Sequence, residues 1–504
     1  MPSNTRRIAK NAIFLYVRMF ITMIVSLFTS RVILNTLGET NFGIYNIVGG
    51  IVVLFSFLNA ALTTATQRFF SYELGKKDFN SLKKIFSISM TCYFILAGII
   101  IILSESIGLW ILNTQLNIPE ERMYAANWVY QLSIITFICQ MLRIPYHASV
   151  IAYEKMNFFA LISIVEVLLK LGIVYFLLLF TTDKLILYSI LVFIVTCLTT
   201  IVYKLYNNKN FSTSKYFFYW DKYKFKDFLS FSGWSLFGSI ANISSQQCIN
   251  ILLNIFYGVA VNAAVGIANQ VTSAIYSFVS SFQTAFNPQI TKTYADNQLQ
   301  ETQKLMFMAC KLSFYLLLAI GLPAIINIEF ILKIWLGNVP LYTAEFIEII
   351  FVYQIIDAIS MPFLTTIQAR GNIKSYQITI GLLILINIPL AYIALRIGLD
   401  PFSVWFTKII INVICFVYRC YYINKYIGLN MRFFFKEIIL KFLYSITIII
   451  PISIFVKNYI TEEIFSIITS VLSSFFLTIL CFVFIGLNQH ERLLIKNYIF
   501  KHRK

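Results

Sequence analysis

The chain is short of charge: Asp, Glu, Lys and Arg together make up 12% of its 504 residues, about half the roughly 25% of soluble domains. That shortage excludes a soluble globular enzyme. Histidine is scarcer still, with three residues too scattered (His147, His490, His502) for a metal centre. Eight cysteines fall within or at the ends of apolar stretches, and none forms a CxxC pair. They read as small buried apolar residues, offering neither a disulfide framework nor a metal site. Also missing is the apolar/polar alternation of a transmembrane barrel, since runs such as 438–456 are predominantly apolar at both alternate positions.

What the chain has instead is hydrophobic residues at 59% and aromatics at 17%. The apolar residues are gathered into stretches of about twenty, long enough at 1.5 Å per residue to cross a hydrocarbon core of about 30 Å. Lipid leaves helices as the only way for such segments to satisfy their backbone. The expected fold is all-α: a polytopic integral membrane protein with fourteen spans, at 11–35, 44–67, 86–109, 124–144, 158–180, 185–206, 229–256, 263–286, 305–327, 344–366, 376–396, 402–423, 438–457 and 464–487. The first stretch lacks a small-residue cleavage site and reads as a retained span, not a signal peptide.

The formal charge of +18 is first a topological quantity, because Lys and Arg collect in cytoplasmic loops. With an even number of spans and both termini inside, thirty basic residues lie on the inner side and five on the outer. That count places Arg143 and Arg419 with the inner loops. Outer loops are short, the longest being about sixteen residues around Trp335 and Tyr342, which leaves no room for an external catalytic domain. The inner segment 207–228 interleaves Lys with Tyr216, Phe217, Phe218, Tyr219, Trp220, Tyr223 and Phe225, a mixture suited to the membrane interface.

Self-comparison suggests a duplication. Ile144-Pro145-Tyr146 followed by Ala152 is echoed by Met361-Pro362-Phe363 followed by Ala369; Gly43 to Asn46 by Gly266 to Asn269; and Tyr72 to Phe86 by Tyr294 to Phe307. The organisation expected is an N-terminal six-helix lobe (1–206), an interfacial loop (207–228), a C-terminal six-helix lobe (229–423), and two further helices with a basic tail (424–504). Two lobes of even span number insert in the same sense, with a pseudo-twofold axis along the membrane normal.

Polar residues inside the spans are the candidate site. Asn269, Ser273, Tyr276, Ser280, Gln283 and Asn287 recur at steps of three and four on one helix face, as do Ser235, Ser239, Asn242, Gln246, Asn250 and Asn254 on the preceding span. Such stripes either line a hydrated cavity or act as interhelical glue. The charges weighed as intramembrane candidates are Arg18, Arg31, Glu166, Lys170, Lys311, Asp357 and Lys408. Glu166 and Lys170 stand in the favourable i,i+4 order for a structural pair. Arg31 and Lys311 are near span ends and can snorkel. Arg18 offers a fork of donors suited to phosphate oxygens. Asp357, in mid-span, is the first candidate for ion coupling and Glu166 the second.

Ser30-Arg-Val-Ile-Leu-Asn-Thr-Leu-Gly-Glu-Thr-Asn-Phe-Gly-Ile-Tyr45, then Gln67-Arg68, then Ala152-Tyr-Glu-Lys155, resemble the polysaccharide flippases (Wzx type) of the multidrug/oligosaccharidyl-lipid/polysaccharide (MOP) exporter superfamily. The resemblance implies alternating-access, ion-coupled transport through a cationic lumen, with no enzymatic activity and no cofactor. Its substrate would be an undecaprenyl-pyrophosphate-linked oligosaccharide, carried from the cytoplasmic to the periplasmic leaflet of a bacterial inner membrane for O-antigen or other surface polysaccharide assembly. Its partners would be that lipid-linked oligosaccharide, membrane lipids, and the polymerase and glycosyltransferases of the same pathway, with no nucleic acid. The lumen residues suggested by chemistry are Arg18, Arg31, Lys311, Lys408, Asn242, Gln246, Asn250, Asn269, Ser273 and Gln283. Two rivals are weighed: a multidrug cation exporter of the same superfamily, which would want acidic residues where span one has two arginines, and a polysaccharide polymerase or ligase, which would want a large outer loop.

Overall fold

The computed structural model of the chain describes residues 2–53, 56–114, 118–180, 183–336, 338–459, 463–489 and 491–492. Helices follow one another almost without interruption: α1 (Pro2–Val53), α2 (Ser56–Gly75), α3 (Phe79–Leu103), α4 (Leu109–Thr114), α5 (Glu120–Ala152), α6 (Met156–Phe176), α7 (Lys184–Asn210), α8 (Lys222–Tyr257), α9 (Val259–Ala295), α10 (Leu299–Ile326), α11 (Ile328–Leu336), α12 (Thr343–Arg370), α13 (Lys374–Arg396), α14 (Ser403–Ile427), α15 (Met431–Phe434), α16 (Leu440–Tyr459) and α17 (Glu463–Cys481). Short π-turns join α3 to α4 and α15 to α16, and Gly38 (φ 76°) breaks α1 in two. With those joins counted, and apart from the short α11, the helices among the described residues lie over the fourteen expected spans, with α1 reaching into the second. Ten are long and apolar enough to cross a membrane. The chain is an all-α, multi-pass membrane protein.

Helix ends are set by local chemistry. Asp78 caps α3 by accepting from the Ser81 amide at 2.8 Å, Asp183 caps α7 through the Leu185 and Ile186 amides, and Gly428 ends α14 in the left-handed conformation. At the start of α5, Glu120 and Glu121 sit where the helix dipole favours acids. The outer stretch around Trp335 is less of a loop than expected. Asn327 turns its amide back onto the Pro323 carbonyl, and the chain restarts as α11, which buries Ile328 and Leu332.

By packing the chain forms two compact units. The first is Met1–Ile240 with Thr291–Asn297 and Gly371–Lys374; the second is Ala241–Ile290, Gln298–Arg370 and Ser375–Lys504. In the first, a core around Leu62, Tyr93, Leu112, Val129, Tyr130 and Met141 joins α2, α3, α4 and α5. The Tyr93 hydroxyl is satisfied by Thr66 at 2.9 Å. In the second, Ile249, Leu253, Ala264, Phe346, Ile347, Val404 and Trp405 join α8, α9, α12 and α14. The aromatic segment 211–221 packs on α3, where the Phe217 amide donates to Ser87 Oγ and Lys83 and Lys84 lie over Phe217 and Tyr219, while Phe218 and Tyr223 stay exposed.

Several left-handed residues recur at offsets close to those of the sequence echoes. Gly38 and Gly258 are both left-handed, as are Lys77 and Asn297, and both pairs are 220 residues apart. Glu154 and Gly371 form a third such pair, offset by 217, which is the offset of Pro145 and Pro362 inside α5 and α12. The proline echo is thus in register with the fold. The Gly43/Gly266 and Tyr72/Tyr294 echoes are not: they run at 223 and 222 residues through a region whose backbone repeats at 220. At Gly371 (φ 92°) the glutamate of its counterpart would strain the backbone, and its Cβ would push the Arg68 guanidinium aside. Glu154 instead uses its side chain to bind Lys292 Nζ.

Candidate functional site

Intramembrane charge concentrates in two places, one in each unit. In the first, α5, α6 and α7 bring four polar side chains together. Glu166 accepts from Lys170 through Oε1 at 2.8 Å, as the i,i+4 spacing suggests, and from Arg143 through Oε2 at 2.9 Å. Arg143 also donates to Thr199 Oγ1 at 2.9 Å and lies over the Tyr203 ring. Both carboxylate oxygens are therefore taken.

Arg18, on α1, belongs to the same neighbourhood. Its guanidinium stacks 4.6 Å from the centre of Phe159 and acts electrostatically on His147 together with Arg143. Its Nε is buried without a hydrogen-bond partner in the protein. Arg31 lies outside the described side chains.

In the second unit a cavity of about 110 Å³ is lined by α8, α12, α13 and α14, with Asn242, Tyr353, Asp357, Asn387, Lys408 and Arg419 among its walls. Asp357 accepts from the Tyr276 hydroxyl at 2.9 Å. Lys408 donates to Gln246 Oε1 at 2.6 Å and packs 4.0 Å above the Trp405 ring. Arg419 donates through Nε to the Tyr376 hydroxyl at 2.8 Å and through Nη1 to Ser360 Oγ. Asn387 accepts from Thr407 at 2.9 Å, and its Nδ2 has no partner. Neither cation is bound to a carboxylate through these contacts.

The polar stripes divide between the two roles weighed for them. On α9 they are mostly glue: Tyr276 holds Asp357, Gln283 donates to Ser313 and to the Ala358 carbonyl, and Asn287 accepts from Thr365. Asn269 is half-buried and Ser273 exposed. On α8, Asn242 and Gln246 belong to the cavity or its cation, while Asn250 reaches only Gln247, at 3.5 Å. Lys311 is buried rather than snorkelling, and its ammonium is spent on Glu491 at 2.9 and 3.1 Å.

Two of the cations counted with the inner loops, Arg419 and Arg143, are instead held in polar sites within the spans. Arg419 is buried on α14, and Arg143 is deep in α5, which runs nine residues beyond it to Ala152. For Arg419 a signal existed: it follows Lys408 by eleven residues, three turns, so both share one helix face. For Arg143 the pairing with Glu166 crosses two helices and leaves no trace in local spacing.

A model of the polysaccharide biosynthesis protein family matches residues 8–294, more than half of the chain, and the MatE family model matches residues 226–393. The chain belongs to the polysaccharide biosynthesis protein family. Its fold is that of the MOP superfamily transporters. A MATE structure in the straight conformation aligns with a TM-score of 0.72 at 13% identity, covering 84% of this chain and 96% of that one. An outward-facing multidrug resistance MATE transporter of the MOP superfamily aligns at 0.69 and 13% identity, covering 83% and 96%. A MOP superfamily transporter from Pyrococcus furiosus, described by a reverse polarity of its binding pocket that suggests a different function, aligns at 0.68 and 13%, again covering 83% and 96%. No curated protein matches the chain.

Proposed function

We propose that the protein is a flippase that carries an undecaprenyl-pyrophosphate-linked oligosaccharide from the cytoplasmic to the periplasmic leaflet of a bacterial inner membrane, with both termini cytoplasmic. The observation that carries this reading is Arg18. It is a guanidinium within the span that forms no ion pair among the described residues, stacks on Phe159 and has an Nε without a partner, while both oxygens of Glu166 are occupied by Arg143 and Lys170. A guanidinium left with donors to spare matches a phosphate group. The excess of basic residues inside the spans points the same way, as does membership of a polysaccharide biosynthesis family. A sugar chain meets amides and hydroxyls on α8 and α9, and the polyprenyl tail stays in lipid. No step of this reading uses a cofactor or makes or breaks a covalent bond.

Asp357 is the coupling acid in this reading: a mid-span carboxylate held by one phenol and facing a cavity. Arg18→Ala should reduce surface polysaccharide at matched expression by at least tenfold, the effect of about 1.4 kcal/mol, and Arg18→Lys should restore part of it. Normal display with Arg18→Ala overturns the assignment. The rival, a multidrug cation exporter, draws on the fold shared with multidrug MATE transporters; proteoliposomes that accumulate a lipophilic cation in an Asp357-dependent manner would favour it.

A further inference from the structure

We propose that the cavity of the second unit binds a small monovalent inorganic anion, chloride being the cellular representative. The argument begins with charge. Three charged residues line the cavity: Lys408, Arg419 and Asp357. Two positive charges against one negative leave a net charge of +1 inside a helix bundle in lipid. An uncompensated charge is costly to bury, and no second carboxylate faces the cavity.

The hydrogen bonds repeat the imbalance. Lys408 and Arg419 donate to neutral oxygens, those of Gln246, Tyr376 and Ser360. The donors left over are Asn387 Nδ2, on the cavity wall, and Trp405 Nε1 and Gln246 Nε2 beside Lys408, all buried without a partner. Asn387 and Trp405 are 1% and 2% exposed. A cavity with one spare N–H donor on its wall, two more beside its lysine and a net positive charge calls for an acceptor that carries charge. Asp357 does not disqualify it, since Tyr276 already donates to that carboxylate.

Size narrows the ligand. At about 110 Å³ the cavity is well below the roughly 300 Å³ at which pockets for drug-sized ligands begin, and a water molecule takes about 30 Å³. A halide with a few waters fits; an oligosaccharide does not. The inference shares Asp357 with the flippase reading but does not rest on it, since that reading is carried by Arg18 in the first unit.

The test uses the full-length protein in detergent, in sodium gluconate at constant ionic strength, with thermal unfolding followed as chloride replaces gluconate. A saturable rise in midpoint is expected, and bromide should give anomalous scattering in the cavity of crystals. Asn387→Asp supplies the missing negative charge by changing one atom and keeps the acceptor for Thr407, so its midpoint should no longer respond to chloride. Lys408→Met should behave likewise, and Asp357→Asn should lower the half-saturating chloride concentration. A flat chloride response in the wild-type protein, or an undiminished one in both Asn387→Asp and Lys408→Met, overturns the proposal. Stabilisation by pyrophosphate at lower concentration than chloride, lost in Asn387→Asp, also overturns it and makes the cavity a headgroup subsite.

Discussion

The two units handle buried charge in opposite ways. In the first, Glu166 is clamped between Arg143 and Lys170 by direct ion pairs at 2.9 and 2.8 Å. In the second, Asp357, Lys408 and Arg419 share a cavity, yet each takes its hydrogen bonds from neutral groups. A closed ion-pair cluster is rigid, because removing one member strands the others. Charges spaced around a cavity and steadied by phenols and amides can change state individually. Two copies of one helical plan thus give a fastened charge cluster in one unit and an adjustable one in the other.

The sharpest way to break this comparison is to neutralise each carboxylate. Glu166→Gln leaves Arg143 and Lys170, both partly buried, without their counter-charge and should destabilise by about 3 kcal/mol, the low end of the cost of breaking a fully buried pair, read as a drop in thermal midpoint in detergent. Asp357→Asn keeps an acceptor for Tyr276 and should cost less, about 1–3 kcal/mol for a weakened charge-assisted bond. Equal losses in the two variants would erase the distinction between the units. Next in size is the turn shared by both copies. Gly371→Ala forces a β-carbon into a left-handed residue and against Arg68, and should cost more than about 1 kcal/mol, whereas Glu154→Asn, at the equivalent turn, keeps a residue tolerant of that conformation and loses the bond to Lys292. Comparable thermal midpoints for the two variants would show that the side-chain tether and the glycine contribute alike.

The smallest effect is at the end of α7. Partial burial raises the Asp183 carboxyl, but the Arg122 guanidinium and the Ile186 and Leu185 amides outweigh it and hold the group below its ordinary range. A depressed carboxyl stabilises above its unfolded value and loses that contribution as pH falls through its folded one. Asp183→Asn should therefore flatten the acid limb of stability against pH by no more than about 1 kcal/mol, since both partners are near 30% exposed. An unchanged acid limb would show that the bond does not couple to folding.

Length and apolarity made the spanning helices legible in advance, because a hydrocarbon slab imposes a minimum stretch that composition alone reveals. The i,i+4 pair Glu166/Lys170 was legible for the same reason, being a property of one helix. What composition could not reveal was which cations lie inside. Arg143 and Arg419 look like loop residues to a charge count, since the count assumes that a base near a span's end reaches water, whereas α5 and α14 run on past them. Lys311 failed in the other direction: its partner, Glu491, is 180 residues away, beyond any local pattern. The stripes on α8 and α9 looked alike in sequence and parted in the structure, because a polar face is satisfied equally well by a neighbouring helix or by a cavity.

The left-handed turns carry a practical consequence for anyone attaching a probe. The repeat interval is 220 residues from Gly38 through Lys77 and 217 at Glu154, so the two halves differ in length only between the second and third of these landmarks. Stretch 338–342, in the corresponding interval of the second half and outside any helix, is accordingly the place to insert an epitope or a labelling cysteine. The turns at Lys77 and Asn297 are where an insertion would misalign the helices that follow.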